Sequence, residues 1–351
     1  MMESLFIRVD AGTQMGTGHL MRCLALAQAW KAAGGQATFI TAYQGDGLLR
    51  RIREEGFELH VLPSAHPDAS DWINTSGIMA ADVNALVVLD GYHFDEDYQQ
   101  QVKDAGYRLL VIDDMAHLKH YYADIVLNQN LHAEQLHYSC ESYTRLLLGT
   151  QYVLLRREFL VWRGWRREVP DVARHILVTM GGCDTKNHTF KVIKALRDLD
   201  ISDLEATIII GMSNPHGEEL ETAAKGSRIP INLIRNAGNM PELMGAADVA
   251  VCTAGTTVWE LAFMGTPTIA AATTPIEEFL VSELEKQGLF YNLNWLKGFS
   301  KVKLADALNR LIHNKEVRGE MSKSGQHFVD GNGCDKVVKL FSNRERRDKM
   351  E

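Results

Sequence analysis

Short apolar runs alternate with longer stretches of helical period along almost the whole chain. Leu5–Asp10 is an apolar run that ends in a glycine-rich turn. Leu20–Ala33 follows, with Leu20, Cys23, Leu24, Ala27 and Trp30 at helical spacing. Ala37–Thr41, Leu59–Leu62, Ala85–Asp90, Arg108–Asp113 and Ile125–Leu127 read as further strands, and Gly47–Glu55 and Ala69–Val83 as helices. Such β-α alternation closes a parallel sheet. The polar segment Arg163–Arg174 contains Pro170 and has no apolar period, so it reads as an interdomain connection.

The alternation then restarts. Strands are expected at Ile176–Thr179, Ala206–Ile210, Ile231–Arg235, Val249–Cys252 and Thr268–Ala271. The helices between and after them are Asn187–Leu199, Gly217–Lys225, Met240–Gly245, Thr256–Met264 and Glu277–Gly288. A last helix, Lys315–Arg344, carries a possible break at Asn332–Gly333. The expectation is an α/β chain with two Rossmann-like domains, 1–165 and 170–330, followed by a C-terminal helix and tail, 331–351. Two such sheets facing a cleft would bind ligands at the carboxyl ends of their strands.

Composition agrees with this pattern. A chain of 351 residues, 46% hydrophobic and 23% charged, packs cores and excludes disorder, collagen and coiled coil. The net charge is −8, and the deficit is uneven. Residues 1–165 hold 13 basic against 20 acidic side chains, a net of −7, while residues 166–351 are at −1. That argues against nucleic-acid binding, which needs a basic face. No apolar run reaches the length of a membrane helix, and MMESLFIRVD lacks the features of a signal peptide. The five cysteines are odd in number and widely spaced, without a CxxC pair. They point to reduced thiols and a cytoplasmic setting rather than a zinc site or disulfide framework.

Chemistry gathers at the predicted strand ends. Asp10–His19 reads D-A-G-T-Q-M-G-T-G-H, with Gly12, Gly16 and Gly18 leading into the first helix. The spacing is neither a dinucleotide fingerprint nor a P-loop. His19 opens that helix, where the dipole disfavours imidazolium, and a neutral imidazole suits general-base work. The alternative is a capping or structural histidine. Arg22, one turn on, is either an anion contact or the partner of a neighbouring carboxylate. Asp10, Asp90 and Asp113 would share a rim, to bind a metal or to fix loops and helix ends. Tyr92 is placed to bond a sugar hydroxyl or to pack as a loop aromatic.

In the second half, the turn containing Gly181 and Gly182 precedes a helix, an arrangement that can nest an anion. Cys252–Leu261 repeats it: Gly255, then Thr256 and Thr257 at a helix start, then Glu260 one turn on. The hydroxyls suit phosphate oxygens and the carboxylate suits ribose hydroxyls. Plain capping and a solvated carboxylate are the alternatives. Together these features favour a nucleotide diphosphate.

The motifs also carry a family likeness. The series runs from R-V-D-x-G-x-x-x-G-T-G-H-x-x-R-C-L-A-L-A (Arg8–Ala27) through D-G-Y (Asp90–Tyr92) and I-D-D-M-A (Ile112–Ala116) to L-G-x-x-Y-V-L-L-R-x-E-F (Leu148–Phe159). It continues with V-T-M-G-G-x-D (Val178–Asp184), M-P-E-L-M-x-x-A-D (Met240–Asp248) and A-G-T-T-V-W-E-L-x-x-x-G-T-P (Ala254–Pro267). The set resembles the UDP-2,4-diacetamido-2,4,6-trideoxy-β-L-altropyranose hydrolase family of pseudaminic acid biosynthesis and the related spore-coat polysaccharide proteins. The resemblance implies a GT-B fold and metal-free, cofactor-free hydrolysis of a UDP-sugar. It implies that His19 activates water, that Tyr92 lies near the sugar, and that Gly182, Thr256 and Thr257 face the diphosphate. Glu260 would take the ribose, and Asn236–Met240, including Asn239 and Met240, would pass the uracil. Where such proteins often carry an Asn-Gln pair, this chain reads T-T-P-I-E-E-F at Thr273–Phe279, with Glu277 and Glu278. A glycosyltransferase on the same fold, or a binding subunit without catalysis, would use the same residue types.

Overall fold

A computed structural model describes residues 3–12, 16–197, 199, 201–298 and 300–342. Contacts divide the chain into two compact units. One comprises 1–15, 19–157 and 331–351, and the other 158–330 together with Gly16–Gly18.

The first unit carries seven strands: β1 (Leu5–Val9), β2 (Ala37–Thr41), β3 (Glu58–Val61), β4 (Leu86–Asp90), β5 (Arg108–Ile112), β6 (Ile125–Asn128) and β7 (Arg145–Leu148). Its helices are α1 (Gly18–Ala32), α2 (Asp46–Glu54), α3 (Ala69–Met79) and α4 (Glu96–Asp104). The short α5 (Arg157–Leu160) follows. The sheet is parallel with the order β3-β2-β1-β4-β5-β6-β7. Apolar clusters cover both of its faces, which is why β4 is apolar at every position before Asp90. The order reverses at the β1/β4 neighbour pair, so the chain after these two strands meets at a topological switch point.

The second unit repeats the plan. It contains β8 (His175–Thr179), α6 (His188–Arg197), β9 (Glu205–Ile210), α7 (Gly217–Ala224), β10 (Ile231–Arg235) and α8 (Met240–Ala246). These are followed by β11 (Val249–Thr253), α9 (Thr257–Phe263), β12 (Thr268–Ala272), α10 (Pro275–Lys286) and β13 (Phe290–Trp295). The helices α11 (Lys301–His313) and α12 (Lys315–Phe328) come last. The sheet order β10-β9-β8-β11-β12-β13 places its own switch point at β8/β11. Both sheets are therefore doubly wound.

Several elements escaped the pattern reading for identifiable reasons. α4 buries only Tyr98, Gln99 and Val102, and is fixed instead by Asp95, whose carboxylate accepts from the Tyr98 N–H. β7 and β13 are edge strands, so neither needs a continuous apolar run. α11 has a clear stripe at Leu304, Ala307, Leu308, Leu311 and Ile312.

The final helical region divides at 329–332, beside the anticipated break, and its residues 343–344 lie outside the described ones. The piece after the break, α13 (Gly333–Ser342), is not a separate tail. Its Cys334, Val337, Val338 and Phe341 join the core under α1, with Phe341 fully buried and its ring 6.1 Å from that of Trp30. Gly333 lets the helix start against the chain: a Cβ there would strike the Val153 carbonyl. The connection Arg163–Arg174 is irregular, yet it is anchored within the second unit. The Arg167 guanidinium donates to the carbonyls of Met244, Ala247 and Met264 and to Thr266 Oγ1.

Phe341→Ala should lower stability by about 3–5 kcal/mol, the usual cost of emptying a buried aromatic site. Urea denaturation followed by circular dichroism measures it, and a loss below about 1 kcal/mol would mean that α13 is not part of this core.

Candidate active site

The switch point of the first unit is occupied by an ionic network. Gly16, at φ +79°, takes a backbone conformation that favours glycine, and the chain enters α1 two residues later. His19 and Arg22, three residues apart, lie on one face of α1. Both turn toward Asp90, the fully buried last residue of β4. His19 Nδ1 lies 2.6 Å from Asp90 Oδ1. Arg22 grips the same carboxylate as a fork, Nε to Oδ2 at 2.7 Å and Nη2 to Oδ1 at 2.7 Å. Cys23 Sγ adds a longer donor at 3.4 Å.

An oxygen and a nitrogen both lie close to His19 Nδ1, because Arg22 Nη2 is 3.0 Å from it as well. An ionised carboxylate at 2.6 Å requires a proton on Nδ1, so that nitrogen donates to Asp90 and the arginine contact is simple proximity. Burial alone would raise the Asp90 carboxyl, but Arg22 and His19 hold it well below the usual carboxylate range. In the neutral ring the lone pair is then on Nε2. The imidazole is oriented by a buried acid, as a general base requires.

Arg22 Nη1 reaches on to Asp114 Oδ1 at 2.8 Å, which also accepts from Asn130 Nδ2 at 2.8 Å. Asp114 Oδ2 accepts from the Tyr92 phenol at 2.7 Å. The Tyr92 ring stands edge-on to His19, with centroids 4.8 Å apart. Burial and the adjacent Asp114 push the Tyr92 phenol far up, so it keeps its proton and has only acceptor capacity to offer.

Three candidates of this unit are engaged by neighbouring groups. Arg22 is buried, with its donors directed at Asp90 and Asp114, so it is the carboxylate partner and not a ligand contact. Asp10 is likewise occupied. It accepts from Arg8 Nη1 and Nη2 at 2.7 and 2.8 Å, from the Ala42 N–H at 2.6 Å, from Thr41 Oγ1 at 3.2 Å and from His93 Nε2 at 2.9 Å. Tyr92 is engaged too, its phenol donating to Asp114 and its ring edge-on to His19. The acidic rim consists of separate networks. Asp113 accepts from Tyr121, Tyr138 and His117 and from the N–H groups of Met115 and Ala116, where the chain turns at φ +53°. Among the described residues no group of three or more His, Cys, Asp or Glu is arranged to hold a metal ion.

Sequence reasoning placed Asp90 on the rim but missed its pairing with His19, and it missed Asp114 and Asn130 as site residues. Their signal was the strand-end position of the two acids within D-G-Y and I-D-D.

The corresponding ends of β8 and β11 carry the remaining candidates in the second unit. Gly181, at φ +82°, turns the chain after β8. Gly182 follows, packed so closely on Gly211 that a Cβ at the latter would strike the Gly182 carbonyl. The helix start beyond is already filled, which corrects the anion-nest expectation there. Asp184 accepts from the N–H groups of His188 and Thr189 at 2.7 and 2.9 Å and from Thr189 Oγ1 at 2.6 Å.

The second turn differs. A Cβ at Gly255 would meet open space, and Thr256, at the N-cap of α9, makes no side-chain capping bond. Thr256, Thr257 and Glu260 are half-buried on this short helix. Asn239 caps α8 without a side-chain bond and is exposed, whereas Met240 is buried, so Met240 offers its backbone alone to this surface. Glu277 accepts from Thr273 N–H and Oγ1 at 2.6 and 2.5 Å, so the carboxylate standing in the Asn-Gln region secures its own turn. Glu278 beside it is exposed.

Comparison with known proteins bears on the fold. Residues 175–332 match the Glycosyltransferase family 28 C-terminal domain. The UDP-2,4-diacetamido-2,4,6-trideoxy-beta-L-altropyranose hydrolase of Campylobacter jejuni is 26% identical, over 82% of this chain and 97% of that protein. The spore coat polysaccharide biosynthesis protein SpsG of Bacillus subtilis is 22% identical, over 95% and 96%. The crystal structure of Acinetobacter baumannii MurG superposes with a TM-score of 0.65 at 15% identity, over 96% of this chain and 99% of that one. The fold is of the GT-B type. Its two doubly wound sheets are the two Rossmann-like halves of that fold. No helix among the described residues is long and apolar enough to cross a membrane.

Asp90 and Asp10 are both held below the usual carboxylate range, so each stabilises the fold above about pH 4 and loses that contribution as pH falls toward its folded value. Asp90→Ala should cost about 3–5 kcal/mol at pH 7, because it leaves Arg22 without its main partner. Asp90→Asn should also flatten the acid limb of a stability-against-pH curve measured by urea titration. An acid limb identical to that of the unsubstituted protein would refute the assignment.

Proposed function

We propose that this protein hydrolyses a UDP-activated amino sugar, releasing UDP and the free sugar. The observation that carries the reading is the 2.6 Å pairing of His19 Nδ1 with the buried Asp90 carboxylate. It leaves Nε2 as a base and fixes the plane in which that base works. His19 Nε2 would take a proton from water as the water oxygen bonds to the anomeric carbon. The C–O bond to the diphosphate breaks on the opposite face, its electron pair leaves with UDP, and the configuration inverts. Asp90 stabilises the imidazolium that forms, a role that needs no proton transfer to the acid.

In this reading the second unit holds the nucleotide. Thr256 and Thr257 donate to phosphate oxygens beside Gly182, and Glu260 accepts from the ribose hydroxyls. The backbone at Asn239 and Met240 reads the uracil. The charge released on the diphosphate is met by hydroxyls and backbone N–H groups rather than by a basic surface. Support comes from the relationship to a UDP-sugar hydrolase along most of the chain. The match of residues 175–332 to a glycosyltransferase domain favours a second reading, transfer of the sugar to a hydroxyl acceptor with His19 deprotonating that acceptor.

UDP release from a panel of UDP-sugars, diacetamido-trideoxyhexoses included, separates the two, with NMR reporting the product anomer. Release without any acceptor supports hydrolysis, and release that depends on an added acceptor overturns it. His19→Ala and Asp90→Asn should each reduce turnover by about 10²- to 10⁴-fold, the contribution of a positioned base. UDP affinity by calorimetry should stay within about twofold in His19→Ala, as expected of a group that acts on the reacting water alone. Thr257→Val should weaken UDP binding by about tenfold, the loss of one phosphate hydrogen bond.

A further inference from the structure

Tyr92 and His93 are the two central residues of one turn. It runs from Gly91 to Phe94, whose N–H donates to the Gly91 carbonyl at 3.3 Å. Their side chains leave the turn for different partners. Tyr92 goes to Asp114 and to the edge of His19. His93 goes to Asp10, with Nε2 2.9 Å from Oδ2. A Cβ at Gly91 would strike the His93 ring at 2.7 Å, so the imidazole lies directly against the start of the turn. The Phe94 ring backs it, with centroids 4.1 Å apart.

The His93–Asp10 pair repeats the His19–Asp90 pair in crossed form. Val9 and Asp90 are register partners on the adjacent strands β1 and β4. Asp90, at the end of β4, takes His19 from the chain after β1. Asp10, directly after β1, takes His93 from the chain after β4. Each aspartate is also gripped by an arginine that reaches a second buried aspartate and, through it, a tyrosine. These are Arg22, Asp114 and Tyr92 in one case, and Arg8, Asp71 and Tyr98 in the other. Burial works against ionisation of Asp10, but bonds from His93 and Arg8 hold its carboxyl below the usual range. His93 Nε2 therefore carries a proton and donates to it. His93 Nδ1 is buried and has no hydrogen-bond partner. The bond to Asp10 is thus what ties the turn to the end of β1.

We propose that His93 is a positioning residue for this site: its bond to Asp10 fixes the Gly91–Phe94 turn and so keeps the Tyr92 ring packed against His19. The inference rests on the reading of His19 as the base. Asp10 is a fixed post, since Arg8, Thr41 and the Ala42 N–H hold it independently of His93. The lever from it is short, because Tyr92 and His93 are adjacent in a four-residue turn. A turn released from Asp10 pivots about the Tyr92 phenol, and the 4.8 Å contact between the Tyr92 and His19 rings opens to water.

The test compares the full chain with its His93→Phe, His93→Asn and His93→Gln variants. Phe keeps a ring without the bond, and Asn keeps a polar group too short to reach Asp10. Gln can place an amide N–H where Nε2 stands. For a UDP-sugar, kcat should fall by about ten- to hundredfold in the Phe and Asn variants, the scale of a small misplacement in a site, with KM within about twofold. His93→Gln should recover part of kcat. A second readout needs no turnover. With ¹⁵N-labelled histidine, and His19→Ala for assignment, the His19 Nδ1 proton should resist exchange with solvent in the unsubstituted protein and in His93→Gln. In His93→Phe and His93→Asn its signal should broaden or be lost. Unchanged kcat together with an equally protected His19 proton in those two variants would overturn the proposal. If the unsubstituted protein turns over no UDP-sugar, the hydrolase reading fails, while the His19 signal still decides the role of His93. Should the Phe and Asn variants both fail to fold by circular dichroism while His93→Gln folds, the pair holds the domain rather than the site, and the proposal is overturned.

Discussion

The grip of Arg22 on Asp90 is the interaction on which the first unit's chemistry depends. A fully buried carboxylate is costly unless paired, and a forked guanidinium three residues after His19 supplies the pairing from the same helix face. With Asp90 kept ionised, His19 has a fixed hydrogen-bond acceptor, hence a fixed tautomer and ring plane. The same arginine extends to Asp114, which in turn positions Tyr92. Four side chains from α1, the end of β4 and the loop after β5 thus form one unit of charge balance. The sheet order brings those segments together at its switch point.

The two halves of the chain handle charge differently. The first unit concentrates buried acids and answers each with its own donors: Arg8 and His93 for Asp10, Arg22 for Asp90, phenols and N–H groups for Asp113. The second unit uses guanidinium groups against carbonyls. Arg167 meets three backbone oxygens, and Arg318 meets those of Leu311, Ile312, Pro170 and Asp171. Such cations satisfy backbone carbonyls where the chain reverses. Within the first 165 residues the buried acids Asp10, Asp71, Asp90, Asp113 and Asp114 stand against the buried bases Arg8, Arg22 and Arg156, so most of the net −7 lies outside these buried sites.

Much of the fold was legible because doubly wound sheets write themselves as short apolar runs separated by amphipathic helices. β1, β4, β5, β8 and β11 announce themselves this way, since both faces of each are covered. Edge strands such as β7 and β13 do not, because a half-exposed strand tolerates Arg, Asn and Tyr. The site was legible in its residues but only partly in its roles. His19 was visible from the glycine-rich turn and the helix start. That Arg22 and Asp10 face inward, and that Asp184 closes its own helix, depends on which side chains meet across 60 or more positions or across a tight turn. No periodicity records that. Glu277 illustrates the same point: its bond to Thr273 makes it a local turn residue, which its place in the Asn-Gln region did not disclose.

The return of α13 to the first unit gives the chain a folding order. The second unit is nearly continuous in sequence, whereas the first is interrupted by it and completed only by Cys334, Val337, Val338 and Phe341. During synthesis from the N-terminus, α1 and its neighbours would emerge first with the pocket beneath Trp30 still unfilled. Domains of a growing chain usually fold in the order in which they appear. Here the middle unit has all of its core before the leading unit has all of its own. The half that carries His19 is the one that must wait for the last helix.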